Sequence, residues 1–246
     1  MAVSRAYVKR QAGIISKLSQ SAGQVISRMD LEDWDEAAAA MSTLCKSYTD
    51  MSAALSATYY DGIRKASKVK TKYTPVVSSG YVPDSVYSAT ISVLDEVQSG
   101  HATKPAAELL ANVANREIKN AADSCIRANV KRDPAKPRYA IVPNGDACAF
   151  CQMRAAAGYT YADEDAVESH DHCTCTATPV FGNQTVEGYN PDEYAAKYEE
   201  ARDALASGDI SDELQAKIDA QKEAKGKDFD KTNAILMVMR EQQHIS

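Results

Sequence analysis

The sequence predicts a mainly α protein with a small α+β, zinc-knuckle-like subdomain. Three observations carry that prediction. Apolar residues recur at helical steps through most of the first 130 positions, and residues after 190 are rich in Ala, Glu, Lys and Asp. Strand-like stretches are short and sit near the middle of the chain. Between two of them lie Asp146-Ala-Cys-Ala-Phe-Cys151 and His170-Asp-His-Cys-Thr-Cys175, which hold four of the six cysteines and two of the four histidines. The chain then divides into a helical region over 1–134, a Cys/His module over 135–189 and a helical tail over 190–246, expected to be partly mobile.

The first helix is expected over 4–29, with Tyr7, Ile14, Leu18, Ala22, Val25 and Met29 on one face. Asp30 is a candidate N-cap for a long second helix reaching about Lys65, with Glu32, Asp33, Asp35 and Glu36 near its positive end. Its apolar stripe reads Leu31, Trp34, Met41, Leu44, Tyr48, Met51, Leu55 and Ile63, and the two helices form a long hairpin. Over 67–82 the period changes from helical to alternating. Lys68, Lys70 and Lys72 fall on one side, Val69 and Tyr73 on the other, with breaks at Pro75 and Gly80. This is a short β-ribbon or an extended arm. Its lysines either keep an exposed edge from pairing or meet DNA phosphate or an acidic protein surface.

A helix from Asp84 or Ser85 to Gln98 ends at Ser99-Gly100. Another starts at Pro105 and stops before Asp133-Pro134, with Leu109, Leu110, Val113, Ile118, Ala122, Cys125, Ile126 and Val130 on its stripe. Cys125 and Cys45 read as buried small hydrophobes. Arg138–Pro143 is a short strand, Phe150–Ala157 a short helix ended by Gly158, and Tyr159–Tyr161 a further strand. Thr174–Phe181 is expected to pair with 138–142. Helices follow at about 192–206, 211–224 and 229–243, with Asp192 and Ser211 as N-caps. The apolar group Ile235, Leu236, Val238 and Met239 in the last should dock on something.

The chemistry lies in the two clusters. Cys148 and Cys151 have the C-x-x-C spacing of a zinc knuckle, and the second cluster offers His170, His172, Cys173 and Cys175. A tetrahedral zinc ion needs four such ligands, two from each cluster, and His170 is preferred to His172. Disulfides are the competing reading, and a redox C-x-x-C wants a βαβ context that is not seen nearby. The chain of 246 residues has no run of about 18 apolar residues, and its first residues lack the apolar core of a signal peptide. A reducing place of synthesis follows as an expectation, and it favours zinc.

The net charge of −6 is uneven. Residues 1–80 carry eleven Lys/Arg against seven Asp/Glu, residues 81–181 nine against thirteen, and residues 182–246 eight against fourteen. No P-loop, Rossmann fingerprint, Ser/His/Asp elbow or deaminase motif occurs.

Residues 144–181 also carry a resemblance. Cys148-Ala-Phe-Cys151-x-Met153, Arg154, Gly158, Tyr161, then His170-Asp-His-Cys173-Thr-Cys175 running into Pro179-Val-Phe181, resembles the tailed-phage minor head (minor capsid) proteins. Within these it is similar to the phage Mu and SPP1 group in its actinobacterial-phage form, whose hallmark is C-x-x-C followed by H-x-x-C-x-C. Tyr60-Asp61-x-x-Arg64 is a fainter echo. The resemblance implies a structural, non-enzymatic head-morphogenesis protein of the virion, made in the host cytoplasm. It would sit in the capsid interior or at the portal vertex. Its partners would be the portal protein, the major capsid protein or both, with packaged DNA as a further one and no membrane or small-molecule substrate. A structural zinc ion would hold the fold through four ligands drawn from Cys148, Cys151, His170, Cys173 and Cys175. Two other functions compete. A zinc-dependent hydrolase needs an open metal position and a base such as Glu168 or Asp171. A zinc module that binds nucleic acid needs a clustered basic face.

Overall fold

The structure is a computed structural model that describes residues 2–145, 147–161 and 175–245. It is mainly helical, with two small sheets. Helices α1 (Arg5–Ile26), α2 (Trp34–Ala66), α3 (Pro83–Gln98) and α4 (Ala106–Arg132) form the body. Helix α2 lies against α1, α3 and α4, and α1 also packs on α4. Gly62 of α2 leaves room for Tyr7 of α1, whose hydroxyl would collide with an added Cβ.

The start of α2 differs from expectation. Its N-cap is Asp33, whose carboxylate accepts the Glu36 N–H at 3.0 Å. Asp30 instead accepts the Glu32 N–H at 3.0 Å and closes the loop before the helix. The cap at Asp33 leaves Asp35 and Glu36 in the first turn, against the positive end of the helix dipole.

The buried face of α2 is also rotated from the expected stripe. It runs through Ala37, Ala38, Met41, Cys45, Thr49, Ser52, Ala53, Ser56, Ala57, Tyr60 and Ile63, while Met51 is 43% exposed. Small side chains let α2 and α4 approach, and Ser52 Oγ donates to the Ile118 carbonyl at 2.7 Å. That bond depends on close backbone approach, which a row of Leu and Met would prevent.

Between α2 and α3 the chain forms an extended arm, and no strand is present among its residues. A β-ribbon is not needed there because side chains satisfy the backbone. Asn129 of α4 accepts the Val76 N–H at 2.8 Å and donates to the Val76 carbonyl at 2.9 Å. Arg64 Nη2 donates to Thr71 Oγ1 at 2.8 Å and to the Thr71 carbonyl. Lys68, Lys70 and Lys72 are exposed, and Val69 and Tyr73 pack on the core, as the alternation predicts.

After α4, strand β2 (Arg138–Val142) pairs antiparallel with β3 (Thr176–Val180), Arg138 opposite Val180 and Val142 opposite Thr176. Tyr161 contributes a single bridge to Tyr139 rather than a strand. A two-residue strand, β1 (Ala2–Val3), which periodicity does not announce, pairs in parallel with β4 (Thr185–Val186). Helix α5 (Ala149–Ala156) follows β2, and α6 (Pro191–Ser207), α7 (Asp212–Lys225) and α8 (Lys231–Gln243) follow the sheets. Asn190 caps α6 in place of Asp192, because Pro191 occupies the first helical position and the Asn190 side-chain oxygen accepts the Asp192 N–H at 3.2 Å. Ser211 caps α7 as expected.

Three main cores result. One joins Tyr59, Tyr60 and Ile63 of α2, Ile126 and Val130 of α4, both strands of the β2–β3 pair and the cysteines near α5. The second lies among α1 to α4, around Ile26, Met41, Leu110 and Ile118. The third docks α8 through Ile235, Leu236, Val238 and Met239 onto α6, α7 and the Ala149, Phe150 and Met153 side of α5. The buried apolar face of α8 therefore rests within the chain itself. Cys45 and Cys125 are fully buried, and burial pushes the Cys45 thiol up to about 12.

Candidate metal centre

Strand β2 leads through Asn144 and Gly145 to Cys148, the N-cap of α5. Cys148 has extended backbone angles, and its sulfur accepts the Cys151 N–H at 3.4 Å. A C-x-x-C at this position sets both thiols on the first turn of a helix. The thiolate is the form that binds metal. Cys175 stands just before β3, and the Val142–Thr176 pairing brings it level with the end of β2. Asn144 Nδ2 donates to Thr176 Oγ1 at 2.9 Å and ties the incoming loop to that strand. Cys151 and Cys175 are each 2% exposed and share one core with Tyr139, Ile141 and Ala155, against which half-buried Cys148 also packs.

Three of the expected ligands thus belong to or border one core. His170, His172 and Cys173 lie outside the described residues, as do Glu168 and Asp171. Among the described residues no group of three or more His, Cys, Asp or Glu side chains could hold a metal ion. The donors present fit zinc in kind, two thiols one turn apart and a third at the head of the adjoining strand. They do not complete a site alone.

Several buried polar atoms surround this turn. Gln152 Oε1, Tyr139 Oη and the Nε and Nη2 of Arg154 have no hydrogen-bond partner among the described residues. Arg154 is 4% exposed, and its guanidinium carbon lies 5.9 Å from the centre of the Phe150 ring. Burial pushes the Tyr139 phenol up to about 12, against the pull of the nearby Arg127 and Arg154 cations.

A second polar cluster, which the sequence pattern does not assemble, lies at the end of α4. Asp133 is fully buried, and its carboxylate accepts from Arg64 Nε at 2.7 Å, Tyr60 Oη at 2.9 Å and the Ala135 N–H at 2.8 Å. Burial, then the bond to Asp133, holds the Tyr60 phenol well above its usual range. The faint Tyr60-Asp61-x-x-Arg64 echo is therefore a structural lock between α2 and α4. Its further member, Asp133, marks only a helix stop in the sequence. The one signal there is a carboxylate before a proline, at the end of an apolar stripe.

A cleft of about 700 Å³ separates α1 from α4, with Gln11, Ser56, Tyr59, Lys119, Asp123 and Cys175 among its walls. Inside it Gln11 Nε2 donates to Ser56 Oγ at 3.1 Å, and Lys119 pairs with Asp123 at 2.8 Å.

The fold and the thiols define a mainly helical protein with a cysteine-bearing turn set against a small sheet. The chain belongs to the VG15 protein family, whose model matches residues 2–201. That match runs from the N-terminal strand into α6 and includes every cysteine. Membership fits a bacteriophage gene product. No described helix is long and apolar enough to cross a membrane. No curated protein and no solved structure matches the chain.

Proposed function

We propose that this protein is a structural, non-enzymatic minor head protein of a tailed phage. It acts at or near the portal during head assembly, within the virion. The observation that carries the reading is the conjunction of family membership with the thiol arrangement. Cys148 and Cys151 open a helix, Cys175 sits in the same core, and the surrounding string resembles tailed-phage minor head proteins.

In this reading zinc is structural. Cys148, Cys151 and Cys175 supply thiolates, and the fourth ligand comes from His170 or Cys173. Bound zinc would cross-link α5 to the head of β3. A centre with three or more thiolates is anionic and takes hydrogen-bond donors as its outer shell. Arg154 lies one helical turn beyond Cys151 on the same side of α5, buried and with two donors that no described residue takes up.

The helical body and α6–α8 then carry protein contacts. Co-expression with the portal protein of the same phage tests the role. Retention of this chain on an affinity-tagged portal, and its presence in purified virions at few copies, is the expected result. Absence from both virions and portal complexes would refute it.

A further inference from the structure

A concentration of positive charge lies outside the cysteine turn. Residues 61–73 contain five basic and one acidic side chain, and residues 131–138 contain four and one. The two segments are distant in sequence, yet the Asp133 lock brings them together. Arg64 and Tyr60 bind Asp133, and the arm is then strapped to α4 by Tyr73 Oη donating to Asn129 Oδ1 at 2.8 Å.

Both acids of these two segments are already engaged, Asp133 by Arg64 at 2.7 Å and Asp61 by Lys65 at 2.5 Å. What faces solvent is therefore basic: Lys68, Lys70, Lys72, Arg132, Lys136 and Arg138 are all exposed. The two segments carry +7 in a chain of net −6, so the remainder carries −13. Such a concentration within an acidic protein makes a local positive field rather than a general one.

Two of these lysines also hold unusual backbone. Lys68 and Lys136 have φ of +54° and +51°, and only His244 shares that region among described non-glycine residues. Glycine would sit there with less strain, so the lysine side chains stand where the local fold does not ask for them.

We infer that this face binds the phosphate backbone of duplex DNA without reading its sequence. The composition favours phosphate over a protein partner. Protein interfaces are depleted in lysine, whereas lysines and arginines crowd these two segments and Tyr60 and Tyr139 are turned fully into the core; the exposed apolar side chains of the arm, Val77 and Val82, lie beyond its lysine stretch. The same absence of exposed aromatic platforms favours a duplex over a single strand, whose bases need surfaces to stack on. The inference stands apart from the zinc and portal readings, because it uses none of their residues.

The test is fluorescence anisotropy of a labelled mixed-sequence duplex, titrated with the full chain at several salt concentrations. Binding should weaken with salt, with a log–log slope near −0.9 for each phosphate neutralised. Replacing Lys70, Lys72, Lys136 and Arg138 with Gln should weaken binding by about tenfold or more and flatten the slope by about one for each phosphate no longer neutralised. A control replaces Lys222, Lys225, Lys227 and Lys231 with Gln, removing the same charge from the exposed tail. It should change affinity less than about twofold, because those lysines lie in α7, the turn after it and the start of α8, outside the two basic segments, and salt screens charges that do not touch the bound phosphates.

Equal loss of affinity in both variants would overturn the inference, leaving only net charge. So would failure to bind the duplex at low salt, and capture of polyglutamate in its place would indicate an acidic protein partner. Thermal melts and metal content of both variants should equal the parent's, which separates this outcome from failure of the cysteine site.

Discussion

Two buried polar clusters flank β2 in the chain, and they are built on opposite plans. At Asp133 a fully buried carboxylate meets three donors, from α2 and from the turn after α4. At α5 the balance reverses. Arg154 Nε and Nη2, Tyr139 Oη and Gln152 Oε1 have no partner among the described residues. A buried polar group without a partner costs roughly 1–3 kcal/mol. A closed cluster thus fixes geometry by itself, whereas an open one is the natural place for a bound group to complete. The contrast explains why the first reads as architecture and the second as a site.

The largest expected effect lies on the open side. Removing zinc with a chelator, or replacing Cys148 and Cys151 with Ser, should lower the melting temperature by roughly 10 °C or more, since about 1 kcal/mol moves it about 2–4 °C at this size. Calorimetry with and without chelator reads this directly.

Next comes the closed side. Asp133→Ala strands the Arg64 guanidinium in the core, and such a loss costs about 3–5 kcal/mol. Urea unfolding should show it as a lower midpoint with an unchanged slope. The basic face should loosen with it, because Arg64, which that carboxylate holds, also binds Thr71 of the arm.

Alkaline pH should act on both clusters. Burial raises the phenols of Tyr59, Tyr60, Tyr139 and Tyr189 above 10.0, the ordinary value. A raised folded pKa means that the unfolded chain releases its proton first. Stability is thus fully present below pH 10.0 and is lost as pH rises past it toward the folded values, about 12 for Tyr139. The part of the tyrosinate absorbance that belongs to these four phenols should rise together with loss of helix, not before it.

The smallest pair of effects sharpens the comparison most. Tyr60→Phe removes a donor that Asp133 uses and should cost about 1–2 kcal/mol. Tyr139→Phe removes a hydroxyl without a partner among the described residues and should stay within about 0.5 kcal/mol. Equal costs would show that the two clusters do not differ in kind.

Much of this architecture is legible in the sequence. Helix-ending pairs such as Ser99-Gly100 and Asp133-Pro134 place the ends of α3 and α4 to within a residue or two, since Gly and Pro act through local backbone sterics. The alternation of Lys68, Lys70 and Lys72 against Val69 and Tyr73 places the arm's two sides. The buried face of α2 is hidden because its large apolar residues point to a different stripe, while close packing selects Ala and Ser. The N-terminal strand pairs with residues about 180 positions away, and no local pattern announces such a pairing. At the candidate centre, spacing singles out Cys148 and Cys151 and leaves Cys173 and Cys175 as alternatives. The surrounding Arg154, Gln152 and Tyr139 become visible only with burial, which the sequence does not state.

The central claim is tested most directly by counting metal in the purified native protein by mass spectrometry. The account predicts about one zinc per chain, absent from the Cys148→Ser, Cys151→Ser variant and retained when Lys70, Lys72, Lys136 and Arg138 are neutralised. Metal-free protein that melts at the same temperature with and without chelator would contradict it.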